Sequence, residues 1–595
     1  MNEEKPIRLA HTWRMIFRTL GICHKMTPGA MPRSFALGLI RGARPFVAIY
    51  VTAWILNALT AGAEAGYVVT GALVGACIAS ASHLLETGLV SLSNLTNNRV
   101  YYKTQSEVWR RYLTTDFERL EQPDFQRLKL DFSWIFGMPT SRVLTFMVDV
   151  IAPAVGVILA LIAAIPLMVS AGPRMALLMI GAIAVSLILT FLIQNRHGQS
   201  YDRAIRENVL GNRLFNYIGV LAGNYKIGME VRVFRAQGFV RWIGRHMNDR
   251  LYIRWGHMEG RYNAATAAVS QVLNGSIYAI VALVALGGAF SVGSVVLFVG
   301  ALTRLAASVS LLIEAVTSRT LTKNLETWFS ILDAQPIKYA GTLSTEKRDD
   351  AEYDIEFHDV SFKYPGSGEY ALRNLNLKLR IGQHLAVVGM NGSGKTTMIK
   401  LLCRLYDPTE GVITLNGIDI RKYDPHQYMD LFSVVFQDFK LFAFKVGENV
   451  AAATVFDRAR VIDCCEKAGF PGVDPDMALY KDLDENGVEI SGGEAQKLAL
   501  ARALYRGAPF MVLDEPTAAL DPVAEFEIYT RFNSLMAGRT AIYISHRLSS
   551  CRFCDDIAVF HEGRLIQRGS HDELLEEGGK YAELWHAQAQ YYTAS

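Results

Sequence analysis

The stretch Gly389-Met390-Asn391-Gly392-Ser393-Gly394-Lys395-Thr396 carries glycines, a lysine and a hydroxyl at the spacing G-x-x-x-x-G-K-[ST]. That spacing suits polyphosphate binding. Gly392 and Gly394 let the backbone turn until several N–H groups face one concavity, with Asn391 and Ser393 between them. A helix starting near Lys395 adds its positive dipole end and brings Thr397 into the same turn. Lys395 can reach the β- and γ-phosphates, and Thr396 can offer its hydroxyl to Mg²⁺. A second group of candidates ends the run Phe510-Met511-Val512-Leu513-Asp514-Glu515. An Asp at a strand end beside such a loop is a second anchor for Mg²⁺, and the adjacent Glu515 is placed to polarise an attacking water. The chemistry these residues can do is binding and hydrolysis of ATP.

Those groups need elements to hold them. His384-Leu385-Ala386-Val387-Val388 is an apolar run that predicts a buried parallel strand entering the loop, and 397–402 predicts the helix leaving it. Asp354–Phe357 and Val360–Phe362 alternate as strands do. Tyr364 follows, just before Pro365-Gly366, where an aromatic ring can stack on adenine. From Asp349 onward the sequence has the pattern of an α/β domain, reached through a polar linker. The chain as a whole has 595 residues, too many for one domain, and a formal net charge of +3. That near-balance argues against nucleic-acid binding. The seven cysteines are scattered and most lie in the half that must meet cytosolic ATP, so free thiols are expected. Cys551-x-x-Cys554 lacks a second pair at zinc spacing and is read as structural.

The first half is different. Residues 8–23 place Leu9, Trp13, Ile16, Phe17 and Leu20 on one helical face and Arg8, Arg14 and Arg18 away from it, which predicts an amphipathic interfacial helix. Six apolar stretches follow, at about 34–62, 66–96, 140–166, 173–196, 263–288 and 292–318, each long enough to cross a hydrocarbon core. The two long links between them are basic, through Arg99, Lys103, Arg110 and Arg111 in one and Arg203, Arg206, Arg213 and Lys226 in the other. By the positive-inside tendency both links and both termini are cytoplasmic. The links are poor in Pro, so membrane helices are expected to run on into the cytoplasm. They are expected to turn back near Thr114–Asp124 and near Asn212–Tyr217. His83, Glu86, Asp149, Arg304 and Glu314 lie inside spans, where ionisable groups are costly. They form either a polar translocation cavity or internal pairs, such as Arg304 with Asp149 or Glu86.

Ile490-Ser491-Gly492-Gly493-Glu494, upstream of the Asp514 strand, resembles the LSGGQ signature of ABC ATPases. The remaining motifs of that family stand in order. Tyr364 matches the adenine-stacking aromatic, Gly389–Thr396 the phosphate loop and Gln437 the glutamine loop. Asp514 and Glu515 match the metal Asp and catalytic Glu, Asp521 the D-loop and His546 the switch histidine. With six spans ahead of one ATPase domain, the chain resembles an ABC exporter-type half-transporter. The expected fold is a membrane α-helical domain with long cytoplasmic extensions plus an α/β P-loop ABC ATPase domain. The expected division is 1–33 interfacial helix, 34–333 transmembrane domain, 334–352 linker and 353–595 nucleotide-binding domain. The resemblance implies catalytic roles for Glu515, His546, Gln437 and Lys395, and Mg²⁺ contacts from Thr396, Gln437 and Asp514. It implies nucleotide contacts from the phosphate loop, Thr397, Tyr364 and Asp521, and from Ser491, Gly492 and Gly493 across a dimer interface.

Glu494 replaces the family's Gln and adds a negative charge near that interface. On this ground a heterodimer with a different half-transporter is favoured over a homodimer. The implied activity is ATP-driven export of a hydrophobic or amphipathic substrate, lipid, peptide or drug-like, across a bacterial plasma membrane. An importer built on the exporter fold (siderophore-like) and an ATP-gated channel or regulator are the alternatives.

Overall fold

The computed structural model describes all residues except 1–8, 136–137, 171, 224–226, 287–290, 318, 335–340, 346–352, 381, 516–539, 546–547 and 594–595. The chain divides into two compact units. One is Met1–Leu113 with Leu128–Ala334, and the other is Thr114–Arg127 with Gln335–Ser595.

The first unit is helical. Its chain runs through α1 (Leu9–Met26), α2 (Ala30–Thr60) and α3 (Ala65–Thr114). The short α4 (Phe117–Glu121) and the start of α5 (Pro123–Ile135) belong to the second unit; the first resumes at Leu128 and runs through α6 (Met138–Ser170) and α7 (Pro173–Gly223). It continues through α8 (Gly228–Val233), α9 (Gln237–Leu286), α10 (Val292–Thr317) and α11 (Arg319–Leu332). Six of these, α2, α3, α6, α7, α9 and α10, are long and apolar enough to cross a membrane. At about 1.5 Å per residue, α3, α7 and α9 are each roughly 75 Å long, over twice a hydrocarbon core. They therefore continue past the apolar segments, and the one proline among the three is Pro173, at the first position of α7.

Close packing in this unit uses small residues. A Cβ on Gly42 of α2 would meet the Ala152 carbonyl of α6 at 2.4 Å, and one on Gly156 would meet Ser308 Oγ of α10 at 2.4 Å. Glycines at such crossings let helix backbones approach where apolar burial alone gives little drive. One core gathers Ile16, Val100, Leu144 and Trp328, and another gathers Ala164, Met179, Ile277 and Phe298.

In α1, Met15, Ile16, Thr19, Leu20 and Cys23 are buried in the first unit, while Phe17 is 65% exposed and Trp13 37% exposed, its ring 6.0 Å from that of Phe146. One expectation needs correction. Asn212–Tyr217 lies within α7 and forms no turn. Those six residues contain no helix stop; α7 ends at Gly223, and the next short helix starts at Gly228.

The second unit is an α/β domain. A four-stranded antiparallel sheet has the order β2-β1-β4-β5, built from β1 (Ile355–Phe362), β2 (Leu372–Leu379), β4 (Glu410–Leu415) and β5 (Ile418–Asp419). A six-stranded sheet has the order β10-β9-β3-β8-β7-β6, from β3 (His384–Gly389), β6 (Phe432–Val435), β7 (Phe510–Asp514), β8 (Thr540–Ile544), β9 (Asp556–His561) and β10 (Arg564–Gly569). Only its β9–β10 edge is antiparallel. The helices of this unit include α12 (Lys395–Leu402), α13 (Pro425–Met429), α14 (Val446–Ala451), α15 (Arg458–Lys467) and α16 (Gly492–Arg506).

The period-2 alternation of β7 sorts its side chains. Phe510 and Val512 enter a core with α12 and the antiparallel sheet, whereas Met511 and Leu513 enter one with α14, α15 and α16. Because β3, β8 and β7 are adjacent and parallel, the loop after β3 and the carboxylates after β7 leave the sheet at the same edge. That edge is where α/β sheets bind ligands.

Candidate nucleotide site and membrane cavity

The loop between β3 and α12 holds its shape through Gly392 and Gly394, with φ of +77° and +103°. A side chain at Gly394 would also strike Leu372 at 2.6 Å, so both conformation and space demand glycine there. Lys395 is buried, and its Nζ donates to the carbonyls of Gly389 (2.8 Å) and Met390 (3.0 Å). Burial holds its pKa below the usual lysine value, an effect opposed by Glu515 and Asp514. Ser393 Oγ is buried in the loop and has no hydrogen-bond partner among the described residues. A polyphosphate in this loop would give partners to both Lys395 and Ser393.

Thr396 Oγ1 donates to Asp514 Oδ2 at 3.1 Å, while the buried Asp514 Oδ1 has no partner among the described residues. Burial, foremost, raises the Asp514 pKa to about 6; the Thr396 hydroxyl lowers it and the Glu515 charge raises it. A buried carboxylate with an orphaned oxygen beside a threonine hydroxyl is a donor set that fits a hard divalent cation.

Glu515 is held at three points. Gln437 Nε2 donates to its Oε2 at 2.8 Å, its own N–H donates to the Ile544 carbonyl at 3.0 Å, and Gln496 Nε2 of α16 donates to its carbonyl at 3.3 Å. Its φ is +50°, a left-handed conformation that costs a non-glycine residue roughly 1–2 kcal/mol. Backbone strain held by surrounding contacts is a mark of functional sites. The Gln496 contact and the left-handed backbone have no signature in the sequence.

Tyr364 is half-buried, and its hydroxyl pairs with Thr397 Oγ1 at 3.0 Å. Its ring meets that of Tyr406 edge-on at 5.5 Å, and Lys400 Nζ lies 5.3 Å from its centroid. Tyr406 also packs edge-on against Phe117 of α4 at 5.6 Å, and its hydroxyl donates to Glu121. The segment Thr114–Arg127, which includes the first of the two expected turns, therefore shares a compact unit with the nucleotide domain.

Ser491 is the N-cap of α16. Its hydroxyl accepts from the Glu494 N–H, and Glu494 Oε2 accepts from both Ser491 N–H and Oγ–H at 2.8 Å. This is a capping box, with the Glu494 carboxylate turned back onto its own helix start. Asp521 and His546 lie outside the described residues.

In the first unit, α2, α3, α6 and α10 line a cavity of about 1070 Å³. His83, Glu86, Asp149, Arg304 and Glu314 all face it, joined by Arg41, Arg44 and Arg142. Glu86 pairs with Arg41 (3.3 Å) and Arg44, not with Arg304. Asp149 sits in the field of Arg41 and Arg142. For Arg304, no ion pair forms among the described residues.

Residues 372–518 match the family model described as ABC transporter. The nucleotide-binding domain belongs to the ABC transporter family. An ATP-dependent lipid A-core flippase of Burkholderia orbicola (strain AU 1054) is 41% identical over 248 residues, 41% of this chain and 42% of that protein. The protein of the same description from Escherichia coli (strain K12) is 39% identical over 263 residues, 44% and 45% of the two chains. These alignments span less than half the length of the curated relatives. A bacterial Atm1-family ABC exporter with ATP bound has a TM-score of 0.76 at 23% identity, covering 93% of this chain and 97% of that one. The chain thus has the exporter fold, with an ABC domain that binds nucleotide behind a multi-pass membrane domain.

Proposed function

We propose that the chain is half of an ATP-driven exporter whose substrate is an anionic, lipid-like amphiphile. The observation that carries the ATPase part is the contact of Glu515 with Gln437 beside the Thr396–Asp514 pair, at the mouth of the phosphate loop. In this reading Lys395 turns from its two carbonyls to the β- and γ-phosphates, Ser393, Asn391 and the loop amides bind the remaining oxygens, and Tyr364 stacks on adenine. Thr396, Asp514 and Gln437 hold Mg²⁺, which neutralises charge on the β- and γ-phosphates. Glu515 accepts a proton from the water that attacks the γ-phosphorus as ADP leaves, and His546 orients that water. Ser491, Gly492 and Gly493 present the start of α16 to the γ-phosphate held by a second subunit, with Asp521 beside them. ATP then joins two nucleotide domains, and hydrolysis parts them, biasing a two-state membrane domain between inward- and outward-facing forms.

The second subunit is read as another copy of this chain. The heterodimer expectation rested on an off-pattern signature, Glu494 above all, in a chain that keeps Glu515; what supports the homodimer reading is that the Glu494 carboxylate turns back onto its own helix start. The substrate reading rests on the arginine-bearing cavity within six apolar helices, and on relatives described as lipid A-core flippases. Both termini are assigned to the cytoplasm from the basic links.

The test is hydrolysis of Mg-ATP by the chain alone in nanodiscs, with its oligomeric state recorded and Glu515→Gln as control. It is paired with movement of a headgroup-labelled anionic lipid between leaflets of sealed vesicles. A hydrolytically active dimer that moves the lipid outward supports the reading. Inward movement would assign an importer, ATP-dependent leakage without directional movement a channel, and an inactive monomer an obligate pair with another chain.

A further inference from the structure

A groove of about 790 Å³ lies between α7 and α9, remote in sequence from every motif used above. We propose that it binds the headgroup of an anionic phospholipid. The inference concerns a bound lipid and stands apart from the transported substrate. On α7 the apolar run ends at Ile193 and Arg196 follows; on α9 Arg261 precedes the apolar run that starts at Ala264. Cross-helix contacts bring these two boundaries to one level. Ser200 Oγ and Tyr262 OH are 2.9 Å apart, and His197 Nε2 and Glu259 Oε1 are 3.1 Å apart. The Tyr201 and Trp255 rings pack at 4.8 Å, and those of His197 and Tyr262 at 5.0 Å. Such aromatic clusters mark the headgroup level of a membrane.

The groove is two-faced at that level. Leu189, Leu192 and Ile193 form an apolar wall, and Arg196, Arg254 and Arg261 form a basic one with His257. Among the described residues no carboxylate lines it, since Glu259, the nearest in sequence, is engaged by His197. Arg196 and Arg261 form no ion pair among the described residues. Guanidinium forks match phosphate oxygens, and basic pockets between membrane helices suit anionic headgroups whose acyl chains lie along the adjacent apolar wall.

The full chain, purified in neutral detergent, is offered equal phosphatidylglycerol and phosphatidylcholine of one acyl length, and native mass spectrometry counts the lipid retained. Phosphatidylglycerol is expected to dominate. Each arginine near an anionic headgroup contributes roughly a factor of five, so Arg196→Gln with Arg261→Gln should lower retention about 25-fold. Arg196→Lys with Arg261→Lys should keep most of it. Elution volume and nucleotide binding report that the variants fold; if the double Gln variant does not, Arg261→Gln alone should cost about fivefold. Equal retention of the two lipids, unchanged retention by the Gln variants, or displacement by excess inorganic phosphate overturns the proposal. So does efficient disulfide cross-linking between copies through Met258→Cys, which would put a second chain in the groove.

Discussion

Glu494 offers the sharpest test of how the signature segment works. Its carboxylate accepts two hydrogen bonds from Ser491, each at 2.8 Å, and stands in the first turn of α16. Glu494→Gln keeps an acceptor but removes the charge that the helix N-terminus favours, a change of roughly 0.3–1 kcal/mol at a surface position. Glu494→Ala removes the acceptor as well, and loss of such a cap costs about 1 kcal/mol. Hydrogen exchange of the backbone amides at 491–495 reads this directly. Opening of that turn should rise about twofold in the Gln variant and about fivefold in the Ala variant, with little change elsewhere. ATP hydrolysis by Glu494→Gln should stay within about twofold of the parent, since the carboxylate points at its own helix. The effect should also depend on pH. The Ser491 backbone N–H, foremost, and then its hydroxyl hold the Glu494 carboxyl below the usual carboxylate range. A lowered folded pKa contributes stability that is complete above the unfolded pKa and is lost as pH falls through the folded one. The advantage of the parent over Glu494→Gln should therefore be full at neutral pH and fade in acid. A tenfold rise in hydrolysis by Glu494→Gln, with unchanged exchange at 491–495, would refute this reasoning. It would show that the charge acts on nucleotide, and would restore the case for an unlike partner with a stronger site.

Asp514→Asn should reduce Mg-dependent hydrolysis at least about 100-fold while leaving metal-free nucleotide binding within a few-fold, measured by steady-state hydrolysis and by titration in EDTA. Removing Mg²⁺ from the parent should reproduce the variant's loss, and a variant still active with Mg²⁺ would dismiss Asp514 as an anchor. Phe117→Ala removes an edge-on ring pair worth roughly 0.5–1.5 kcal/mol beyond burial. It should lower lipid moved per ATP severalfold, with hydrolysis itself little changed; an unaltered ratio of transport to hydrolysis would remove α4 from the coupling route. Gly42→Ala should destabilise the packing of α2 on α6 by about 1–3 kcal/mol, because the new Cβ meets a backbone carbonyl at 2.4 Å. A thermal unfolding curve identical to the parent's would show that the two helices can part freely.

Local chemistry was readable where one segment carries all of it. The phosphate loop needs glycines at fixed positions, and the spans need only length and apolarity, so both stand in the sequence without reference to distant residues. The turn expected near Thr114–Asp124 falls where α3 ends at Thr114 and Pro123 opens α5. The turn placed at Asn212–Tyr217 failed because nothing in those residues stops a helix, and Gly223 does. Pairing inside the membrane domain was less legible. Glu86 chooses Arg41 and Arg44 over Arg304, a choice fixed by how α2 and α3 are rotated about their axes, which periodicity leaves open. Glu494 is the instructive case. Ser491-x-x-Glu494 is itself the capping-box pattern. The family's Gln at this position can close the same box, so the pattern gives Glu494 a local role that Gln would share.

The aromatic cluster around Tyr406 has no sequence pattern, and yet it ties the second unit together. Tyr406 touches Phe117 on one side and Tyr364 on another, and the ammonium of Lys400 lies within 5.9 Å of all three rings. Lys400 stands on α12, the helix that begins at the phosphate loop. Displacing Tyr364 would therefore alter the same ring contacts and the same cation that hold Phe117. Thr114–Arg127 lies between α3 and α6 along the chain, and the ring cluster holds this segment within the second unit. A ring cluster packed around one cation is better suited to this than a flexible salt bridge, because its contacts are fixed by shape and survive physiological salt.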